Sequence, residues 1–395
     1  MKDNLKKGVL RSRIVISIMR TLIKVPAVKI LKFSDKEVRI KDKPYLIFAN
    51  HSDTIDPAYI IKTTKHYVRF VMSDHVMRMG LIGKLYNFLD APIVFEREKG
   101  TDALYKSIVD NIKAGINVAM YPEGALTSTG ETGFISKRNA ALIKECDCTF
   151  VTYRGRGGYL KKPRWAKSSR KGPIFGEVVN IYSKEQIRAM SEEELYEHII
   201  EDLYVNIYDE QRKEPHAYIG EDPAEHAEII LYGCPRCKSI GQLRTKGREI
   251  FCDCGFKAEI DDFGFWHGEN MEFDNIPEWD RFQKKLLKEI TDRAKDTNEL
   301  LFRDDKQQIY SIKDGESTTL SEDGKLELFA DRVVITADNG EITIPLNDIN
   351  SVKTSSKMNI LLVTEEGYFE IKSSYPRSAT KYIVAIRYLQ GKENI

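Results

Sequence analysis

His51 and Asp56, with four residues between them, are a pair whose types and spacing could do chemistry. A loop that turns back would bring the carboxylate to one imidazole nitrogen and leave the other free to act as a base. A histidine held by a carboxylate is the usual device for deprotonating a hydroxyl near neutral pH. A loop histidine followed by a helix-capping aspartate has the same local sequence, so the pair alone leaves both readings open. Two more stretches join charge to apolar runs: Phe95-Glu96-Arg97 and Tyr121-Pro122-Glu123-Gly124. Each also has a plain structural reading, a surface pair of Arg97 with Glu96 or Glu98 and an ordinary turn at Glu123-Gly124. A separate cluster, Cys234-Pro235-Arg236-Cys237 and Cys252-Asp253-Cys254-Gly255, looks like a zinc ribbon. Four thiolates suit a closed tetrahedral structural site. The second pair is spaced C-x-C rather than C-x-x-C, which makes His267 a reserve ligand.

The elements that must position these residues follow from hydrophobic runs. Tyr45-Leu46-Ile47-Phe48-Ala49 reads as a buried strand bounded by Pro44 and Asn50. Asp56-Pro57 reads as a helix start, with Asp as N-cap and Pro in the first turn. His51 therefore falls just past a strand end, where open α/β sheets bind ligands. Strands are predicted at 69–72, 91–97, 116–121, 148–153 and 176–182. Helices are predicted at 81–89, from Thr101 through Ala114 with Gly115 as the stop, at 137–145, and from a Ser191/Glu194 capping box to about Arg212. Strands alternating with helices predict an α/β fold, a mostly parallel sheet flanked by helices.

After Pro215 the pattern changes. Short strands surround the four cysteines, and a helix over 276–295 presents Trp279, Phe282, Leu286 and Ile290 on one face. From about 300 the sequence alternates as strands do, with hairpin signals at Asn339-Gly340 and Glu366-Gly367. A helix from Ser378 to Leu389 closes it. The β-meander with its closing helix looks like a pleckstrin-homology or GRAM-type module.

A chain of 395 residues suggests two or three domains. The divisions expected are a basic helical segment at 1–33, an α/β domain at 34–215, the ribbon at 225–275, a linking helix at 276–298 and the β domain at 299–395. Hydrophobic residues make up 42% and charged residues 31%, with a formal net charge of +1, which points to no bulk polyanion; no nucleic acid is expected as a partner. Charge is concentrated instead. Residues 8–25 read as an amphipathic helix with Lys6, Arg13, Arg20 and Lys24 on one face and Ile14, Ile18, Met19 and Leu22 on the other, a pattern suited equally to a membrane surface and to a helix packed on the domain with its basic face in water. A second basic stretch, 154–171, reads as a loop. No apolar run is long enough to span a bilayer, and the clustered cysteines fit a reducing compartment. The expected location is the cytoplasmic face of a membrane, peripherally bound.

The three strand-end stretches together resemble the glycerolipid acyltransferase family, typified by lysophosphatidic acid acyltransferase, over roughly residues 30–215. That family carries H-x-x-x-x-D, then an aromatic-x-Arg segment, then F-P-E-G-T-R-S, in this order. His51, Asp56, Arg97, Glu123 and Gly124 match these motifs, and Gly133-Phe134-Ile135-Ser136-Lys137 looks like the family's F-K-x-G segment. The resemblance implies acyl transfer from acyl-CoA or acyl carrier protein to the hydroxyl of a lysolipid, in phospholipid synthesis. It implies His51 as general base and Asp56 as its orienting carboxylate. It carries Asn50, Arg97, Glu123, Gly124 and Lys137 over as substrate-binding residues, Arg97 on an acceptor phosphate. Where the family has Thr-Arg after Pro-Glu-Gly, this sequence has Ala125-Leu126. The missing arginine is a second phosphate ligand in the family, so the acceptor headgroup is left open. The alternative function class is a catalytically inactive acyltransferase-like scaffold that binds lipid or protein at the membrane.

Overall fold

The structure is a computed structural model and describes residues 33–64, 66–73, 92–95, 100–313, 316–354, 357–365 and 367–392. The helices expected at 8–25 and 81–89, and Arg97 itself, lie outside these residues. The chain divides into two compact units. One holds the described residues up to Lys162 with Lys171–Tyr218; the other holds Pro163–Arg170 and the chain from Ile219 onward.

The first unit is built on a seven-stranded sheet. Its strands are β1 (Phe33–Asp35), β2 (Tyr45–Ala49), β3 (Arg69–Ser73), β4 (Ile93–Phe95), β5 (Val118–Met120), β6 (Thr149–Arg156) and β7 (Ile174–Tyr182), in the order β1-β7-β6-β2-β5-β3-β4. All neighbouring pairs are parallel except β6 with β7. Every residue of β2 is buried, as a strand covered on both faces requires. The pleat sorts the side chains by parity. Leu46, Phe48, Val118, Met120 and Phe150 share one core cluster with Ile108, Ile143 and Ile199. Tyr45, Ile47, Ala49, Ala119 and Val151 share the other with Tyr59 and Ile60. Those partners assign the helices to faces: α1 (Asp56–Thr64) to one, and α2 (Gly100–Lys113), α3 (Arg138–Cys146) and a later helix carrying Ile199 to the other.

Two expectations in this unit need correcting. The helix predicted from Ser191 to about Arg212 is two helices. After a single turn at α4 (Gly158–Lys161) and α5 (Lys184–Ala189), α6 spans Glu192–Leu203 and α7 spans Ile207–Lys213. The Ser191/Glu194 capping box is present. The break comes from a distant residue: Val205 N donates to Thr132 Oγ1 at 2.9 Å and Thr132 N donates to Val205 O at 2.9 Å. The Asn206 side chain then accepts from Tyr208 N and starts α7. Apolar periodicity cannot report a partner more than seventy residues away. The basic stretch 154–171 is not a free loop either. Arg154 donates to the Asp202 and Glu201 carbonyls, Arg156 pairs with Glu210 and Glu177, and buried Arg170 donates to the Pro223 carbonyl.

In the second unit, β8 (Arg244–Lys246), β9 (Glu249–Phe251), β10 (Lys257–Ile260) and β11 (Trp266–Gly268) form an antiparallel sheet beside the cysteines. The helix α8 (Ile276–Thr297) starts at an Asn275 cap with Pro in its first turn. It is tied to the ribbon. Trp279 Nε1 donates to Gly233 O at 2.9 Å, and Gln283 Oε1 accepts from Tyr232 N at 2.8 Å. Seven antiparallel strands follow: β12 (Leu300–Lys313), β13 (Glu316–Phe329), β14 (Arg332–Ala337), β15 (Gly340–Pro345), β16 (Ser351–Thr354), β17 (Asn359–Thr364) and β18 (Gly367–Ser373). The closing helix α9 (Thr380–Leu389) is present as expected. Tyr232 and Leu287 lie in the same core cluster as Ile309, Leu326, Ile371 and Tyr382, so ribbon, helix and β-sheet share one core.

That core contains a charge cluster. Asp304 is flanked by Arg377 and by Lys381, whose Nζ lies 2.7 Å from Asp304 Oδ2. All three are buried, with two cations on one carboxylate. Burial, reinforced by the charge of Arg377, pushes the Lys381 ammonium well below its ordinary range. Asp304→Asn would leave two buried cations unpaired and is expected to destabilise the unit by about 3–5 kcal/mol. Lys381→Met leaves a one-to-one pair and is expected to be neutral or stabilising. Denaturant midpoints of the two variants check this, and equal losses would refute it.

Candidate active site and cysteine cluster

The C-terminal ends of the parallel strands β2, β4, β5 and β6 lie along one edge of the sheet. Asn50 and His51 follow β2, Tyr121 to Gly124 follow β5, and Gly155 and Arg156 end β6. Asn50 is buried, and both ends of its amide are used: Nδ2 donates to Gly155 O at 2.9 Å and Oδ1 accepts from Gly155 N at 2.7 Å. It clamps the loop after β2 to the end of β6 and is one of the residues that line the cleft at His51.

The His51 backbone is held at both ends. Its N–H donates to Glu123 Oε1 at 2.8 Å, and its carbonyl accepts from Thr127 N at 2.9 Å. Its ring stacks on Tyr121, with centroids 4.0 Å apart and planes within 13°. Nδ1 lies 3.0 Å from Asp56 Oδ2. The same oxygen accepts from Ser52 N at 2.8 Å and Asp53 N at 2.9 Å. Asp56 is thus not the expected cap of its own helix; its carboxylate reaches backward and organises the loop. Three donors therefore converge on one buried oxygen. With Nδ1–H donating to it, the lone pair of the imidazole resides on Nε2. The His51 side chain keeps 20% of its surface accessible while Asp56 keeps 6%, the division expected of a base and its support.

Glu123 is a second organiser. Oε1 accepts from His51 N, and Oε2 accepts from Gly133 N at 2.6 Å. Burial pushes its carboxyl up, and these two N–H bonds together with His51 work against that. Gly124 sits at φ +72°, with its N–H donating to Tyr121 O at 3.0 Å, and no atom lies within 4 Å of where a Cβ would stand. The glycine is therefore required by the turn, not by close approach. Lys137 Nζ is turned to Glu193 at 2.7 Å and lies over the Tyr196 ring, an exposed pair of little energetic weight. Arg97 lies outside the described residues; β4, which leads to it, ends on the same edge.

The structure therefore brings His51, Asp56 and Glu123 together by direct hydrogen bonds, seats Asn50 beside them and occupies Lys137 elsewhere. It also adds residues that the sequence did not single out. An open cleft is lined by His51, Ser52, Thr127, Arg156 and Tyr159 among others. Tyr159 packs so closely on Gly130 that a Cβ there would stand 2.7 Å from its ring. The sequence hints of this face are the basic stretch 154–171, which holds Arg156, and its glycine-rich start Gly155-Arg156-Gly157-Gly158 after a strand.

In the second unit the Sγ atoms of Cys234, Cys237, Cys252 and Cys254 all lie within 4.8 Å of one another. Cys234 and Cys254 are 3.7 Å apart, and Cys237 and Cys252 are 3.8 Å apart. A tetrahedron with metal–sulfur bonds of about 2.3 Å has edges of about 3.8 Å, so the four thiols fit a zinc ion. Backbone N–H groups of Arg236 and Cys237 approach the Cys234 sulfur. His267 is not a ligand: its Nε2 pairs with Asp261 at 2.8 Å. Cys146 and Cys148 are buried in the core of the other unit.

Residues 30–154 match the model of the family described as Acyltransferase. Among solved structures, the 1-acyl-sn-glycerophosphate (LPA) acyltransferase PlsC from Thermotoga maritima is similar at 17% identity over 51% of this chain and 80% of that chain, with a TM-score of 0.42. The Vps36 N-terminal PH domain is similar at 15% identity over 24% of this chain and 80% of that chain, with a TM-score of 0.20. The N-terminal PH domain of human ARAP2 is similar at 11% identity over 23% and 81%, also with a TM-score of 0.20. No curated protein matches the chain. Across residues 30–154, which contain His51, Asp56 and Glu123, this chain carries the domain of the acyltransferase family.

Proposed function

We propose that the protein is a glycerolipid O-acyltransferase that moves a fatty acyl group from the thioester of acyl-CoA or acyl carrier protein to the hydroxyl of a lysophospholipid or glycerolipid, in phospholipid synthesis. The observation that carries this reading is the His51–Asp56 pair at the mouth of a cleft on the C-terminal edge of the sheet. His51 Nε2 takes the proton of the acceptor hydroxyl as its oxygen attacks the thioester carbonyl. The carbon–sulfur bond then breaks, and the imidazolium returns the proton to the departing thiolate. Asp56 holds the tautomer and stabilises the imidazolium, as the carboxylate of a Ser-His-Asp triad does. Glu123 positions the base through its backbone. Zinc, held by Cys234, Cys237, Cys252 and Cys254, contributes structure only, because four protein thiolates leave no open position.

Among the described residues no helix is long and apolar enough to cross a membrane. Peripheral attachment at the cytoplasmic face, through the basic segment at 1–33, is part of the same proposal. The test is incubation of the purified chain with acyl-CoA or acylated carrier protein and a panel of lysolipids, with products read by mass. A diacyl product and one free thiol per turnover are expected. No product from any pair of substrates would favour the scaffold alternative.

A further inference from the structure

Beside the cleft at His51 lies a second, open one, and the two share Arg156, Gly157 and Ile207. Phe175, His216 and Tyr218 form an aromatic side, and Glu210 and Glu214 an acidic side. The rings of Phe175 and His216 have centroids 4.8 Å apart. Tyr218 is buried, and its hydroxyl is spent on Pro173 O at 2.8 Å, so its ring is what it offers as a wall. His216 Nε2 lies 3.4 Å from Glu214.

Arg156 stands at the junction of the two clefts. It donates to Glu210 Oε2 at 2.8 Å and comes within 3.4 Å of Glu177, while its buried Nε finds no acceptor among the described residues. Burial opposes the charge of Glu210, but the hydrogen bonds and charges of Arg156 and then of Lys213 outweigh it and hold the carboxyl below its ordinary range. The lining therefore places two carboxylates beside aromatic rings and one guanidinium, which lies 5.9 Å over the Phe175 ring, with Lys213 as a second cation on Glu210 at 3.5 Å. Carboxylates and ring faces attract an ammonium group. A guanidinium with an unused N–H suits a phosphate.

We propose that this second cleft is the headgroup subsite for a zwitterionic lysophospholipid. The ammonium of an ethanolamine or choline group would sit against Phe175 and His216 beside Glu210 and Glu214. The phosphate would meet Arg156, and the free glycerol hydroxyl would enter the cleft at His51. The assignment rests on the acyl-transfer reading and deepens it.

Two measurements on the full chain test it. In calorimetry, glycerophosphoethanolamine and glycerophosphocholine are titrated against glycerol 3-phosphate. The zwitterions should bind more tightly, and Glu210→Gln and Phe175→Leu, which keep hydrogen bonding and apolar bulk respectively, should weaken them about tenfold. In turnover, Glu210→Gln should raise KM for lysophosphatidylethanolamine about tenfold with kcat within twofold, and leave KM for lysophosphatidate unchanged or lower. Tighter binding of glycerol 3-phosphate, no zwitterion binding at all, or equal losses for both acceptors in a variant with unchanged melting would overturn the subsite. Zwitterion binding that the variants weaken, with no acylation of any acceptor, would uphold the subsite and sink the acyl-transfer reading instead.

Discussion

His51→Ala is expected to lower kcat for acyl transfer by about 10²–10⁴-fold, the contribution of a positioned general base, while the protein stays folded. Stability should survive because the ring makes one hydrogen bond and one stack, while the backbone bonds to Glu123 and Thr127 do not depend on it. Asp56 would still accept from Ser52 N and Asp53 N, so the loop keeps its main organiser. Asp56→Asn is the sharper probe. Its amide oxygen can go on serving the two backbone donors, but it loses the negative charge that stabilises the imidazolium. The equivalent change in a serine-protease triad costs about 10⁴ in kcat, and a loss of that order is expected here. Both effects should appear in kcat with little change in the acceptor's KM, because neither side chain is assigned to binding. Normal turnover by His51→Ala with an unaltered melting curve would remove the base from the mechanism.

Loss of the metal is the second large effect. One zinc ion per chain is expected by elemental analysis. A strong chelator, or Cys252→Ser, should collapse the ribbon. Structural zinc contributes about 10–16 kcal/mol in small zinc domains, as much as the whole stability of an ordinary domain. The damage should spread beyond the cysteines, because α8 is fastened to the ribbon by Trp279 and Gln283 and its Leu287 enters the β-sheet core. Loss of near-ultraviolet signal from Trp266 and Trp279, packed 5.9 Å apart, would report this directly. A metal-free protein with the same melting curve and tryptophan signal would show the thiols to be unligated.

The strands and helices that build the edge at His51 were legible because burial imposes a period on local sequence. Tyr45–Ala49 is apolar throughout since both faces are covered, and the same logic located β5, β6, α2 and α9. Helix caps such as Ser191/Glu194 are equally local. Where a distant partner intervened, the reading failed. Thr132 breaks the helix after Leu203, and acidic or carbonyl partners absorb Arg154, Arg156 and Arg170, in a stretch whose sequence reads as a basic loop. The β14–β15 hairpin is present, but its two turn residues are Asp338 and Asn339, with Gly340 already paired to Ala337. The turn chemistry was right and the register was one residue off.

The cysteine spacing and the motif residues themselves follow from the order of amino acids alone, because metal and acid–base chemistry demand particular side chains at short separations. What those residues touch does not. Only the tertiary structure turned the Asp56 carboxylate back to His51, Ser52 and Asp53 instead of forward along its helix. Only it engaged both oxygens of Glu123 with backbone N–H groups and spent the Asn50 amide on Gly155. The reason is physical. Periodicity and spacing report which face of one element is buried, whereas a hydrogen bond between loops at the ends of different strands depends on how the sheet aligns them, and no local stretch carries that.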